Sequence, residues 1–192
     1  MIIPGIVISV LTFPGVIVHE FGHKYFCDKF GVKVHDVRYF RLGNPAGYVL
    51  HDIPDKFYKT FFIDVGPFLV NSALAAAVFL VIAVMNLAAI KGFDVTDAPT
   101  GPFQWALGFF MWLGISIAMN AFPSRHDAKI LWKESRRHLS QGDRVAIIGF
   151  PFSVLIWIAN ILSFVWFDLI YAIALAFVVT LAAGLVVRAI TG

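Results

Sequence analysis

Ile17-Val18-His19-Glu20-Phe21-Gly22-His23 sets a zinc-site pentapeptide into a stretch apolar enough to enter a membrane. Residues four apart share one face of a helix, so His19 and His23 can offer two imidazole nitrogens to one metal ion. Glu20 stands beside them, where a carboxylate can take a proton from water at the metal. The chain holds six His, and its only glutamates are Glu20 and Glu134. Shuffling that composition yields His-Glu-x-x-His in about one chain in 500. The bland alternative is coincidence, two histidines on the surface of a transmembrane helix. Against it, ionisable residues inside a membrane are costly and usually functional.

The surroundings of the motif set the class. The chain is 59% hydrophobic and only 14% charged, with a mean hydropathy of +0.81. Soluble domains carry roughly 25% charged residues, so an integral membrane protein is expected, in contact with the lipid bilayer. With 192 residues, the expected architecture is a single all-α polytopic domain spanning 1–192. The net charge of +3 points to membrane topology and to no nucleic-acid role. One cysteine, Cys27, excludes a disulfide framework and any Cys-rich zinc site. It follows His23 by four residues and could share the metal face, though a packed thiol is the plainer reading. Residues 1–18 lack a basic n-region and a cleavage site, and so do not read as a removable signal peptide.

About five transmembrane helices are expected: core spans 3–26, 62–88 and 103–122, then 145–166 and 169–189. Only Phe167-Asp168 separates the last two, which read as a hairpin. Pro14-Gly15 interrupts the first span, where a new or kinked helix can begin and carry the histidines. Thirteen of the fifteen Lys and Arg fall within 24–59 or 125–144. Five crossings place both regions on one side, with Arg188 joining them, while Lys91 faces the other way in a short loop with Asp94 and Asp97. The positive-inside rule makes the basic side cytoplasmic and the N-terminus external. After the first span, Val32, Val34 and Val37 alternate with polar residues, Gly43–Gly47 makes a turn, and Tyr48-Val49-Leu50 returns. This predicts a small β-hairpin, whose edge could pair with an extended peptide. His35 and His51 there read as solvent or interface histidines.

A catalytic zinc site needs a third protein ligand. Glu134 lies among Lys133, Arg136 and Arg137, and reads as an ion-pair partner on an amphipathic surface helix. Asp127 is favoured, because it follows the third span on the side where the first span ends. His126 and Asp64 are alternatives, and Asp127 also suits the N-cap of a helix over 128–139.

Three separated matches resemble the site-2 protease family of intramembrane zinc metalloproteases. They are His19-Glu20-x-x-His23, Gly66-Pro67-x-x-x-Asn71 opening the second span, and Asn120-x-x-Pro123-x-x-x-Asp127 at the third. The chain departs from the family in having one residue more before Asn71, and His126-Asp127-Ala128 where Leu-Asp-Gly is usual. The resemblance implies one Zn2+ per chain held by His19, His23 and Asp127, with Glu20 as the base. It makes Asn120 a candidate to hold the substrate backbone or the developing oxyanion; a hydrogen bond within the bundle is the alternative for that residue. Asn71 and Gly66 read as packing residues. The implied substrate is a membrane-spanning protein cut near the cytoplasmic side. A non-proteolytic protein that binds transmembrane segments, or a metal transporter, would share much of this pattern. The polar residues Ser153, Asn160, Ser163 and Thr180 of the last two spans read as isolated.

Overall fold

A computed structural model describes residues 5–92 and 101–191 of the chain. It is mostly helical, with one small sheet. Helix α1 (Gly5–Leu11) meets α2 (Phe13–Lys29) at 89°, so the first span is broken just before Pro14, close to the interruption expected at Pro14-Gly15. Strands β1 (Val34–Arg38) and β2 (Tyr48–His51) pair antiparallel, with a bulge between Val34 and Asp36. This is the predicted hairpin. Then come α3 (Phe57–Gly92), α4 (Pro102–Met119), α5 (Arg125–Ser140), α6 (Gly149–Leu162) and α7 (Phe167–Thr191). A 3-10 turn over Arg144–Ile148 precedes α6, and another over Ser163–Val165 follows it. Four helical segments are long and apolar enough to cross a membrane: Phe57–Leu87, Pro102–Met119, Arg144–Val165 and Phe167–Ile190. The loop with Asp94 and Asp97 lies outside the described residues.

The 36 residues of α3 make a spine about 54 Å long. Everything else is registered against it. Helix α4 runs back along its second half, where Phe79 packs with Ile117 and Ala118. Helix α5 continues in the same sense along the first half, bringing His138 against Phe57 and Arg137 Nη2 to the Pro54 carbonyl at 3.1 Å. The chain then turns and climbs again. Phe152 of α6 stacks edge-on against Phe61, Tyr171 of α7 meets Phe68 and Ser72, and Ala172 joins Ala75 and Phe79.

Partner numbers therefore rise together in α3 and in α6–α7, and this corrects the hairpin expected of spans 145–166 and 169–189. The two helices run the same way, end to end. Each is by itself long and apolar enough to cross a membrane, but no reversal of the chain separates them. Arg188 consequently lies toward the end of α3 that carries Lys91, away from the other basic residues. The local reason is that Ser163–Asp168 contains neither Gly nor Pro to reverse the chain. A 3-10 turn and a left-handed residue, Trp166 at φ 64°, break the helix without folding it back. That conformation costs a bulky L-residue about 1–2 kcal/mol.

Helix α2 packs antiparallel along the first half of the spine and approaches it closely, with Gly15 near Asn71, His23 at Ile63 and Phe30 at Tyr58. A Cβ on Gly15 would lie 2.0 Å from the Ser116 carbonyl oxygen of α4, and one on Gly22 2.9 Å from Pro67 Cα of α3. Glycine at these two positions, seven residues apart on one face, lets three helices meet where the histidines sit. The meeting point coincides with both breaks, α4/α5 and α6/α7.

Candidate metal centre

The geometry begins with the rings of His19 and His23, whose centroids lie 5.0 Å apart on one face of α2. Nδ1 of His19 is 2.8 Å from the Asn120 carbonyl oxygen, and Nδ1 of His23 is 2.8 Å from the Ile63 carbonyl oxygen. A carbonyl only accepts, so each Nδ1 carries the proton and donates. That leaves both Nε2 lone pairs free, the arrangement in which an outer partner orients a metal-binding histidine. The Ile63 carbonyl belongs to the intact helix α3. The Asn120 carbonyl is available because α4 ends there, and it also accepts from Asn71 Nδ2 at 3.1 Å.

Asp127 completes the group. Its Oδ1 is 3.7 Å from His23 Nε2, and ligand atoms of His19, His23 and Asp127 all lie within 4.8 Å of one another. A separation of 3.7 Å is too long for a hydrogen bond. It is close to the roughly 3.3 Å between donors that bonds of about 2.0–2.1 Å give around a tetrahedral zinc. The donor set, two oriented imidazoles and one carboxylate, fits zinc with a position to spare. Among the described residues this is the one such group.

The sequence left Asp127 open between ligand and helix cap, and the carboxylate has one oxygen in the cap and the other facing the histidines. Ser124, not Asp127, is the N-cap of α5, its Oγ accepting from the backbone of His126 and Asp127. Asp127 is the third helical residue, and its Oδ2 accepts from Ser124 N at 2.6 Å. This reciprocal capping box holds one oxygen and turns the other toward His23. The helix accordingly starts at Arg125, three residues before the expected 128.

The alternative ligands are not among the three grouped residues. His126 is exposed. Asp64 is buried in α3, 2% exposed, with no hydrogen-bond partner at Oδ2. Cys27 is a fully buried, packed thiol. Glu134 does pair with Arg137 (Oε2 to Nη2, 2.6 Å), but it is 3% exposed and not on the surface as expected. Asn71, fully buried, spends its Nδ2 on the carbonyls of Gly15, Ile117 and Asn120 and ties α2, α3 and α4 together. Gly66 leaves room for Phe26, whose ring a Cβ would meet at 2.2 Å. Asn120 is part of the bundle: its Nδ2 donates to Thr12 Oγ1 (3.0 Å) and the Ser116 carbonyl (2.9 Å). Its amide donor is thus engaged, and its contribution to the site runs through the backbone carbonyl on His19.

Glu20 and His19 line a cavity of about 250 Å3. The hairpin loop forms one wall, tight enough that a Cβ on Gly47 would lie 2.6 Å from Glu20 Cγ. The opposite wall is Asn120, Phe122 and Pro123 with Asn160, Ser163 and Asp168 from the α6/α7 break. Compared with protein-family models, curated proteins and solved structures, the chain matches none. What the site can do therefore rests on its own chemistry.

Two sets of residues escaped the sequence reading. Asn160, Ser163 and Asp168 carry no local motif, and only the end-to-end packing of α6 and α7 brings them to the cavity. His51 is half-buried on β2, and its imidazole pKa is lowered, first by burial and also by the nearby His23, against a raising contribution from Asp127. The hairpin thus faces the centre from a position that strand alternation alone does not reveal. His35, by contrast, is exposed and pairs with Asp52 (Nε2 to Oδ1, 2.7 Å).

Proposed function

We propose that this chain is an intramembrane zinc metallopeptidase that hydrolyses peptide bonds of membrane-spanning proteins. The observation that carries the reading is the pair of histidines locked by backbone carbonyls with Nε2 free, converging with Asp127 beside an acid-lined cavity. His19, His23 and Asp127 would hold one Zn2+. When bound, the ion supplies a Lewis acid that polarises a peptide carbonyl and makes water acidic near neutral pH. A carboxylate oxygen of Glu20 takes one proton from the attacking water and passes it to the amide nitrogen as the carbon–nitrogen bond breaks. The capping box keeps Asp127 oriented, and the Ile63 and Asn120 carbonyls hold the rings in the tautomer that leaves Nε2 as the ligand atom.

The basic residues support an orientation with the hairpin end of α3 in the cytoplasm, since thirteen of fifteen lie in 24–59 or 125–144. A substrate helix must unwind to reach Glu20, because a helical backbone in lipid already satisfies its own hydrogen bonds. Helix ends and breaks on this protein, clustered at the metal depth, offer polar surroundings in which an unwound segment can sit.

The test is zinc content per molecule of detergent-purified protein, after zinc repletion, with cleavage of a labelled transmembrane peptide in vesicles. The parent and Glu20→Gln are expected near one zinc, Asp127→Ala near none, and only the parent should cut. Full zinc in Asp127→Ala would move the third ligand elsewhere. No zinc in any sample would sink the reading, and zinc without cleavage would leave a protein that binds transmembrane segments.

A further inference from the structure

The cavity beside Glu20 is asymmetric in both charge and hydrogen-bonding capacity. Its lining contains Glu20 and Asp168 but no Lys or Arg. With a divalent ion held, Asp127 and Glu20 offset the ion's charge, and Asp168 is left unmatched. Among the described residues, Asp168 has no ion-pair partner; its one side-chain contact is the hydroxyl of Ser163, which donates to Oδ2. The side-chain donors of Ser9, Asn120 and Asn160 on the wall are also spent, while the Ser124 hydroxyl accepts from the backbone of His126 and Asp127. Ser9 Oγ donates to the Gly5 carbonyl, Asn120 Nδ2 to Thr12 and Ser116, and Asn160 Nδ2 to the carbonyls of Pro123 and Ile156 at 2.9 and 2.8 Å. Among the described residues, no donor reaches the Oδ1 atom of either asparagine. The cavity therefore presents acceptors and one uncompensated carboxylate, the complement of a group that carries several donors and a positive charge.

From this we infer that the wall built by Asn160, Ser163 and Asp168 is a binding subsite for a cationic side chain, Lys or Arg, of the polypeptide that enters the cavity. The volume of about 250 Å3 is below the about 300–1,000 Å3 of small-molecule sites and suits one or two side chains, not a folded segment. The inference builds on the peptidase reading by naming a residue preference near the cut bond. It also fits that reading's location, since Lys and Arg concentrate at the cytoplasmic ends of transmembrane segments. A metal ion at one wall and a carboxylate at the other would place the cationic residue at a fixed distance from the scissile bond, and so set register as well as affinity. The plainer role of Asp168 is a favourable charge in the first turn of α7. That role is indifferent to what the substrate carries.

The experiment compares three synthetic transmembrane peptides, alike except for Lys, Gln or Glu at one position of an unwound Gly/Ser-containing segment. Each is offered in vesicles to the parent, Asp168→Asn and Asp168→Lys. Binding is read by fluorescence anisotropy with a zinc chelator present, and cleavage is read separately on zinc-loaded protein. The parent should bind in the order Lys, Gln, Glu. Asp168→Asn, which is isosteric, should lose about ten-fold for the Lys peptide and leave the Gln peptide unchanged. Asp168→Lys should invert the order. If Asp168→Asn leaves the three affinities in the parent's ratio, or no peptide binds, the subsite is refuted and Asp168 serves α7 alone. Charge-selective binding without cleavage would overturn the peptidase reading and spare the subsite. Cleavage without charge selectivity would do the reverse.

Discussion

The two oxygens of the Asp127 carboxylate face different partners, and the capping role and the proposed ligand role can be separated by substitution. Oδ2 closes the capping box with Ser124, and Oδ1 faces His23. Ser124→Ala removes the cap's other half and should cost about 1 kcal/mol, seen as a lower Tm, while zinc stays near one per chain. Asp127→Asn keeps the shape of the cap but replaces a carboxylate ligand by an amide, so zinc should be lost with a smaller change in Tm. Equal effects of the two variants on zinc would mean that the cap, and not the ligand, governs the site. At this scale much was legible in advance. His19, Glu20 and His23 are local in sequence, and their helical spacing decides their geometry. Asp127 was reachable because it follows the third span on the correct side. The division of its two oxygens between the cap and His23 was not, because a carboxylate's two oxygens are indistinguishable in a sequence.

At the scale of elements, close approach decides which helices meet at the histidine pair. Gly15 of α2 leaves no space for a Cβ against Ser116 of α4, whereas Gly184 of α7 has nothing within 4 Å. Gly15→Ala should lower stability by about 1–3 kcal/mol through overpacking. Gly184→Ala, at a half-buried helical site with open space for a Cβ, should be neutral or stabilise by up to about 1 kcal/mol. Thermal unfolding in detergent compares the pair, and a Gly15→Ala protein as stable as the parent would mean that α2 and α4 do not pack at this distance. The β-hairpin was legible from alternation and its turn residues. Its placement over Glu20, through Gly47, was not, since a loop's neighbours are set by packing and not by its own pattern.

For the whole molecule, the end-to-end course of α6 and α7 changes the side on which the proposed orientation would place the end of α7. In a protein with Cys27→Ala, Leu42→Cys on the hairpin loop and Ile190→Cys near the end of α7 should react with a membrane-impermeant maleimide from opposite sides. The native thiol is fully buried, and both new positions are more than 70% exposed. Reaction of both from one side would restore the hairpin reading. The end-to-end course also explains why residues from both α4/α5 and α6/α7 share one cavity. Irregular backbone at membrane depth is tolerated where it is buried in protein or lines a cavity, and here two breaks do so at the same height on α3.

By itself, the amino-acid order determined the helical class, the apolar segments, the hairpin and the His-Glu-x-x-His face, because each depends on residues within a few turns of one another. Tertiary structure alone decided the direction of α7, the position of the hairpin over Glu20, the approach of Asp127 Oδ1 to His23 and the arrival of Asn160, Ser163 and Asp168 at the cavity. These depend on which helix ends stack along α3. Stacking is governed by shape and small-residue contacts between segments as far apart as Gly15 and Ser116, which local periodicity does not encode.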